Sequence, residues 1–418
     1  MSDRLASHQP PGHHPSSYVS KGLARITESA LGPYQSAVVR IGFSATWLLF
    51  LLRELPHRAE LYGPDGPWSW QLGRRLIDVN GAFTVLMWSD SRLWFEIVYL
   101  LAILSSALLL LGWRTRAMSV VFMVGVLSLQ NRSVFMGDGG DNVLHLMSIY
   151  LVFTRCARVW SLDARRERRD EDARARGERV VDRVGPALWF ALGATLGVAT
   201  GAGWLTDGEW FVPALLWAVW AAQGVWWFAQ RRTGELRALC DITGNVLHNA
   251  ALLVVMAEAC LIYATAGWYK IQGSRWQDGT AVYYPLQLDS FSPWPALADV
   301  LAASGTLVMI ATYGTVIAQV AFPFTLFNRR VKNVLLAVMM MEHAAIAVVL
   351  GLPFFSLAMI ATDAVFLPTA FLLWLGGRAA RARGRLFGTG TRRGGTRAGV
   401  QAEGDPDSPR KLPVGSPT

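Results

Sequence analysis

The stretch EACLIYATAGWYKIQGSRWQDGTAVYYPLQLDSFSPWP, residues 258–295, changes character halfway along. It begins as an apolar helix, meets a lysine at Lys270, and leaves through Trp276, Asp278, Gly279, Tyr283 and Tyr284. Such a segment reads as the end of a membrane span. An amine close to the end of a hydrocarbon span is costly unless it faces protein or water. Burial disfavours the ammonium form and leaves a base suited to proton transfer. The plainer reading is a lysine that snorkels to the membrane edge, with the aromatics as its belt. On these residues alone both readings stand.

Working outward, apolar runs of the same kind recur along the 418 residues. Charged residues make up 17% of the chain, against about 25% in a soluble protein. Runs of about 20 apolar residues predict an all-α, polytopic helical membrane protein. We expect about ten spans, the first over about residues 34–52 and the second and third over about 93–113 and 117–130. The fourth follows Asp141, and two more cover about 184–204 and 210–230. The seventh runs over about 246–269, the eighth over about 296–326, and the last two flank a bend at Gly351-Leu352-Pro353. The runs are continuous rather than alternating, which excludes a spanning β-barrel.

The formal net charge is +9. It does not indicate nucleic-acid binding, because the arginines sit in short loops between spans and in the C-terminal tail. The positive-inside rule puts those loops, and both termini, on the cytoplasmic side of a multi-pass cell-membrane protein. Residues 1–32 read as a leader, disordered at first and then interfacial, and not as a cleavable signal peptide. Residues 33–376 read as the transmembrane domain, and residues 377–418 as a disordered basic tail. Cys156, Cys240 and Cys260 have no paired spacing, so neither a disulfide framework nor a metal site is indicated.

Several polar positions interrupt the apolar pattern. Arg40 in the first span either snorkels or is paired inside the bundle. The loop from Arg53 to Ser91 is too long to dangle and should pack on the outer face. Asp141 and Asn142 read as helix N-caps, and Asp141 shares a helix face with His145. That pair reads either as the rim of an outward cavity or as a capped helix with one core histidine. Residues 163–183 are a solvated, mixed-charge cytoplasmic segment. Residues 184–230 look like an added helical hairpin, joined by the turn LTDGE, and its Gly193–Gly197 spacing suits helix packing. Arg40, Glu96, Asp141, His145, Glu258, Lys270, Glu342, His343 and Asp363 all fall at or within membrane depth. Each costs about 2.5–3.5 kcal/mol at a lipid-facing helix centre, so most must face one another or a wet cavity.

No phosphate loop, HExxH or nucleophile elbow is present. Three blocks do resemble a known family: DGGDNVLHLMSIYLVFTRCARVWSLD (138–163), AGWYKIQGSRWQDGTAVYYPLQ (266–287) and EHAAIAVVLGLPFFSLAMI (342–360). In this order they resemble the bacterial HTTM (horizontally transferred transmembrane) proteins, relatives of the membrane portion of vitamin K-dependent gamma-glutamyl carboxylase. The resemblance covers roughly residues 30–376.

It implies a carboxylase/epoxidase-like enzyme in which Lys270, the lysine of the AG-x-x-K segment, is the base acting on a vitamin K/menaquinone-type hydroquinone. Asp141 and His145 would orient groups, and Trp268, Tyr269, Trp276 and His343 would line the cofactor. Tyr269 stands where the carboxylase has a second lysine, and Gly140 or Asp141 where it has a histidine. The partners implied are membrane lipid and a lipid-soluble quinol or peptide substrate. Two other readings remain: a non-enzymatic membrane protein that binds a lipid or peptide, and a transporter.

Overall fold

A computed structural model describes residues 15–205, 210–229 and 234–386. The expected leader over 1–14, the Thr206–Glu209 part of the LTDGE turn, Arg231 and Arg232, and the tail from residue 387 lie outside the described residues. Among those described the chain is all-helical, with no strand.

Helix α1 (Pro15–Glu28) precedes α2 (Pro33–Glu54), which starts with a proline in its first turn. That position suits proline, because the N–H it lacks has no helical partner there. The α1–α2 linker is fastened to a distant helix, α11 (Glu235–Gln272). Asn245 Nδ2 donates to Thr27 O, Asn249 Nδ2 to Ile26 O and Ser29 O, and Asn249 Oδ1 accepts from Leu31 N. His248 accepts from Arg155 N at Nδ1, so its Nε2 is the donor to Leu31 O at 2.8 Å.

The loop after α2 does not dangle. It folds into α3 (Arg58–Tyr62) and α4 (Trp70–Asn80), and turns back through 3-10 segments at Leu55–His57 and Val85–Trp88. Arg132, the last residue of helix α6 (Thr115–Arg132), holds it in place. Its guanidinium donates to Gly63 O and Trp68 O, and Trp68 Nε1 donates back to Arg132 O. Asn131 Nδ2 and Ser128 bind the backbone of Phe83 and Val85.

Helices α5 (Arg92–Leu111), α6 (Thr115–Arg132) and α7 (Gly139–Phe153) pack in sequence around α2. The N-cap of α7 is Asp138, not Asp141 or Asn142. Asp138 Oδ1 accepts from the N–H groups of Gly140 and Asp141, while Asp141 Oδ2 reaches back to Asp138 N at 2.8 Å. Asp141 is therefore the third-position member of a capping box.

The structure decides between the two readings of Arg40. It is fully buried, and its guanidinium reaches carbonyls at the C-terminal end of α5, Leu109 and Leu110 (2.8 Å), and in the segment after α7, Cys156 (3.3 Å) and Trp160 (2.9 Å). A cation there satisfies helix carbonyls that otherwise lack a partner. Glu96 pairs with Arg58 at 2.9 Å.

Helix α8 (Leu162–Ala175) carries the mixed-charge run, mostly exposed. Helices α9 (Val184–Gly201) and α10 (Phe211–Ala229) form the expected hairpin. Trp189 and Trp220 stack at 4.3 Å, and each indole N–H donates to the other residue's carbonyl. Contacts that tether the hairpin include Arg116, 3.3 Å over the Trp226 ring, Arg114, paired with Asp182 at 2.5 Å, and Trp204, stacked on Trp88 at 5.3 Å.

That ion pair holds the Asp182 carboxyl down at about 2, below its ordinary 3.8. A depressed folded-state pKa gives stability that is complete above the unfolded value and is lost as pH falls through the folded one. Asp182 is 39% exposed, so solvent screening keeps the contribution under about 1 kcal/mol. The wild type should therefore melt slightly above Asp182→Asn near pH 6, and the gap should close between about pH 4 and pH 2.

Helix α11 leads through α12 (Ser274–Gln277) and α13 (Tyr283–Leu286) to α14 (Pro295–Ala302). The expected eighth span is not continuous. The chain breaks at Ala303-Ser304, and Ser304 caps a new helix, α15 (Gly305–Thr325), through Leu307 N. Helix α16 (Arg329–Val349) follows, capped by Asn328.

The tenth span also differs from expectation. After the bend at Gly351, α17 (Pro353–Asp363) has 11 residues, about 16 Å against a hydrocarbon core of about 30 Å. A 3-10 turn, Ala364–Phe366, and Pro368 separate it from α18 (Thr369–Leu386). Proline cannot supply the N–H that would continue the helix. The carbonyls freed at the break are taken up: Lys332 Nζ bonds Phe366 O, and Gln35 Nε2 bonds Leu367 O. Irregular backbone at this depth is tolerated where protein surrounds it, and residues 361–366 are all buried.

Among the described residues seven helices are long and apolar enough to cross a membrane, or eight if the α17–α18 pair counts as one span. The seven are α2 with its extension to Tyr62, α5, α9, α10, α11, α15 and α16. Helices α6 and α7 are not among them. They run between α2, α5, α11 and α17, where protein covers them.

Candidate functional site

Lys270 lies in the last turn of α11. Its amine turns toward α15 and donates to Gln319 Oε1 at 2.7 Å. Gln319 Nε2 in turn donates to Glu342 Oε1 on α16 at 3.1 Å. The same amine sits 5.2 Å over the ring of Trp276 on α12, within cation–π range. Gly267 makes this approach feasible, because a Cβ there would lie 2.6 Å from Val320 Cγ2. The glycine of the AG-x-x-K segment thus lets α15 come close enough for Gln319 to reach the amine. Lys270 is half-buried and Gln319 buried, so the amine is held by protein rather than extended past the helix end.

A second network lies deeper. Tyr263 is seven residues before Lys270, about 10.5 Å along the same face of α11. Its hydroxyl donates to Asp363 Oδ1 at 2.8 Å and lies 3.1 Å from His343 Nε2. A phenol has one proton, so with that proton on the Asp363 bond His343 Nε2 is the donor to the phenol oxygen. His343 Nδ1 is then an acceptor. Among the described residues it has no partner, and neither have Asp363 Oδ2 or Ser356 Oγ; all three atoms are buried. Buried polar atoms are nearly always paired, and open ones mark a place for water or a polar ligand. Phe322 packs edge-on against Tyr263 at 5.4 Å, and Phe355 against His343 at 5.6 Å. Glu342 and His343 are neighbours on α16, so the two networks share that helix as well as α11.

The other candidates from the sequence are placed as follows. Trp276 is beside Lys270, and His343 is in the deeper network. Trp268 and Tyr269 are 63% and 74% exposed and lie off the face that carries Lys270's contacts. Asp141 and His145 form a separate cluster around Gln130 of α6. Gln130 Oε1 lies 3.2 Å from His145 Nδ1, and its Nε2 reaches Asp141 O at 3.1 Å. Among the described residues this cluster has no hydrogen bond to either network. Phe355 stands between, packed against Gly140 on one side and His343 on the other.

Gln319 and Tyr263 are the residues that sequence reasoning missed. Gln319 is the amide within the apolar run of α15, and Tyr263 keeps helical register with Lys270. Either fact could have singled them out.

A hydroquinone bears two hydroxyls that can donate or accept, and the open polar atoms at His343 Nδ1 and Asp363 Oδ2 can bond such groups. Lys270 and Trp276 place an amine and an aromatic face at the end of the same helix. Groups of these kinds fit the hydroxyls and ring of a molecule of that class. A concavity of about 390 Å³ beside Trp113 and a hollow of about 40 Å³ around Trp88 and Trp204 lie away from both networks. The chain matches no family model, no curated protein and no solved structure.

Proposed function

We propose that this chain is a multi-pass cell-membrane protein of the HTTM type, with ten membrane-traversing segments and both termini cytoplasmic. Helices α6, α7 and the broken α17–α18 pair make up the ten. We propose further that it performs acid–base chemistry on a lipid-soluble hydroquinone at the α11–α15–α16–α17 face. The observation that carries this reading is the inward amine of Lys270, held 2.7 Å from the neutral Gln319 rather than by a carboxylate. An amine paired with an amide has less reason to stay an ammonium than one in an ion pair.

In this reading Lys270 is the base that accepts a phenolic proton. Gln319 orients the amine and links it to Glu342, whose negative charge offsets the positive charge that appears on Lys270. Trp276 covers the site from the membrane edge. The Tyr263–His343–Asp363 network offers two open polar atoms, His343 Nδ1 and Asp363 Oδ2, to a hydroxyl from deeper in the bilayer. A hydroquinone, when bound, supplies an acidic O–H and an electron pair for dioxygen.

Purified protein in liposomes loaded with menaquinol should oxidise it under dioxygen faster than protein-free liposomes do. Equal rates would overturn the enzymatic reading. Retention of the quinol without oxidation would instead favour a non-enzymatic lipid-binding protein. The observation on that side is that the Lys270 amine is already engaged by Gln319 and Trp276.

A further inference from the structure

The turn that joins α5 to α6 and the first half of α8 enclose the concavity of about 390 Å³. Its lining is Trp113, Arg114, Leu162, Arg166, Arg169 and Asp170. That volume lies in the range of ligand pockets, about 300–1,000 Å³. The place in the fold is informative. Leu111 ends an apolar helix long enough to cross a membrane, and Trp113 follows two residues later. Tryptophan in that position marks the headgroup level.

The lining sets three guanidiniums against one carboxylate. Arg114 uses both terminal nitrogens on Asp182, at 2.5 Å each, while its buried Nε has no partner among the described residues. Arg166 pairs with Asp163 at 3.2 Å. The Asp163 oxygens are also engaged by the N–H groups of Arg114 and Thr115 and by the Thr115 hydroxyl. Its charge therefore serves the start of α6. Arg169 donates from Nε to Arg165 O at 3.3 Å and has no ion pair among the described residues. Arg166 and Arg169 are three apart on α8 and share a face.

We propose that this concavity binds the phosphodiester of an anionic membrane lipid. Arg166 and Arg169 hold the phosphate, and Trp113 and Leu162 lie against the start of the acyl chains. Guanidinium forks match phosphate oxygens in pairs, and basic pockets at the ends of membrane helices take anionic headgroups. Free phosphate shares the headgroup's charge but has nothing to place against Trp113 and Leu162. This site is independent of the Lys270 networks.

The test uses the full chain in phosphatidylcholine nanodiscs that contain a minority of phosphatidylglycerol, with retained lipid read by native mass spectrometry. The wild type should keep phosphatidylglycerol in preference to phosphatidylcholine. Arg166→Gln with Arg169→Gln should cut that preference about tenfold. Arg165→Gln with Arg168→Gln makes the same charge change on the same helix outside the lining, and should leave the preference unaltered. Equal loss in both double variants would reduce the effect to general surface charge and overturn the site. Uptake of inorganic phosphate with no preference between the two lipids would overturn the lipid assignment.

Discussion

Lys270→Ala should lower hydroquinone oxidation by at least about a hundredfold, the usual contribution of a positioned general base. Lys270→Arg should do no better, because a guanidinium keeps its proton at any working pH. Gln319→Leu should fall between wild type and Lys270→Ala, since it removes the group that orients the amine but leaves the amine itself. Leu261→Ala, on the exposed face of the same helix, should turn over normally. These variants separate two roles for one lysine. A lysine that only marks the membrane edge would lose anchoring on substitution and leave any turnover unchanged. Stopped-flow loss of menaquinol in liposomes, with each variant's helical content checked first, reads the difference.

The largest effect on stability should come from Arg40→Ala. Four carbonyls, those of Leu109, Leu110, Cys156 and Trp160, converge on this one guanidinium. Each hydrogen bond to a charged group is worth about 1.5–3 kcal/mol, and truncation leaves buried acceptors without donors. The losses are not additive, so we expect a destabilisation of about 3–5 kcal/mol. Arg40→Lys should recover only part of it, because one ammonium cannot span carbonyls from two separate segments. The space is also closed from the other side. Gly112 has φ +70, and a Cβ there would lie 2.3 Å from Ser161 Cβ and 3.1 Å from Arg40 Nη1. Gly112→Ala should therefore lower the melting temperature in the same direction, measured in detergent by near-ultraviolet circular dichroism.

Arg40 also shows where sequence reading stops. Its position in an apolar run was legible, and the cost of leaving it in lipid was calculable. Its partners were not, because carbonyls leave no mark in the sequence and these lie 69 to 120 residues away. Length and apolarity sufficed to identify the long helices and the hairpin, since a span needs little else. The breaks in the eighth and tenth spans were harder to see. Composition stays apolar across Ser304-Gly305 and across Pro368, and the signals there are single residues. At α7 the two aspartates of the DGGD turn compete for the cap, and only the backbone geometry assigns it to Asp138.

The candidate site was half legible. Lys270 stood out because a charge in an apolar helix demands a reason. Tyr263 did not, because a tyrosine in a helix is ordinary until its hydroxyl is found between a histidine and an aspartate. The resemblance put Trp268 and Tyr269 beside a cofactor, and in the structure both are exposed. Residues one and two apart on a helix point to different faces, so these two do not share the face of Lys270's contacts.

The central claim is that the α11–α15–α16–α17 face holds a quinol-class molecule. Photo-crosslinking with a lipid-soluble azidoquinone in native-like liposomes, followed by peptide mapping, tests it most directly. We predict labelling concentrated on the segment from Tyr263 to Trp276 and on the α16 peptide around His343, and suppressed by excess menaquinol. Labelling spread over the lipid-facing helices, α9 and α10 included, and unmoved by competitor would contradict it.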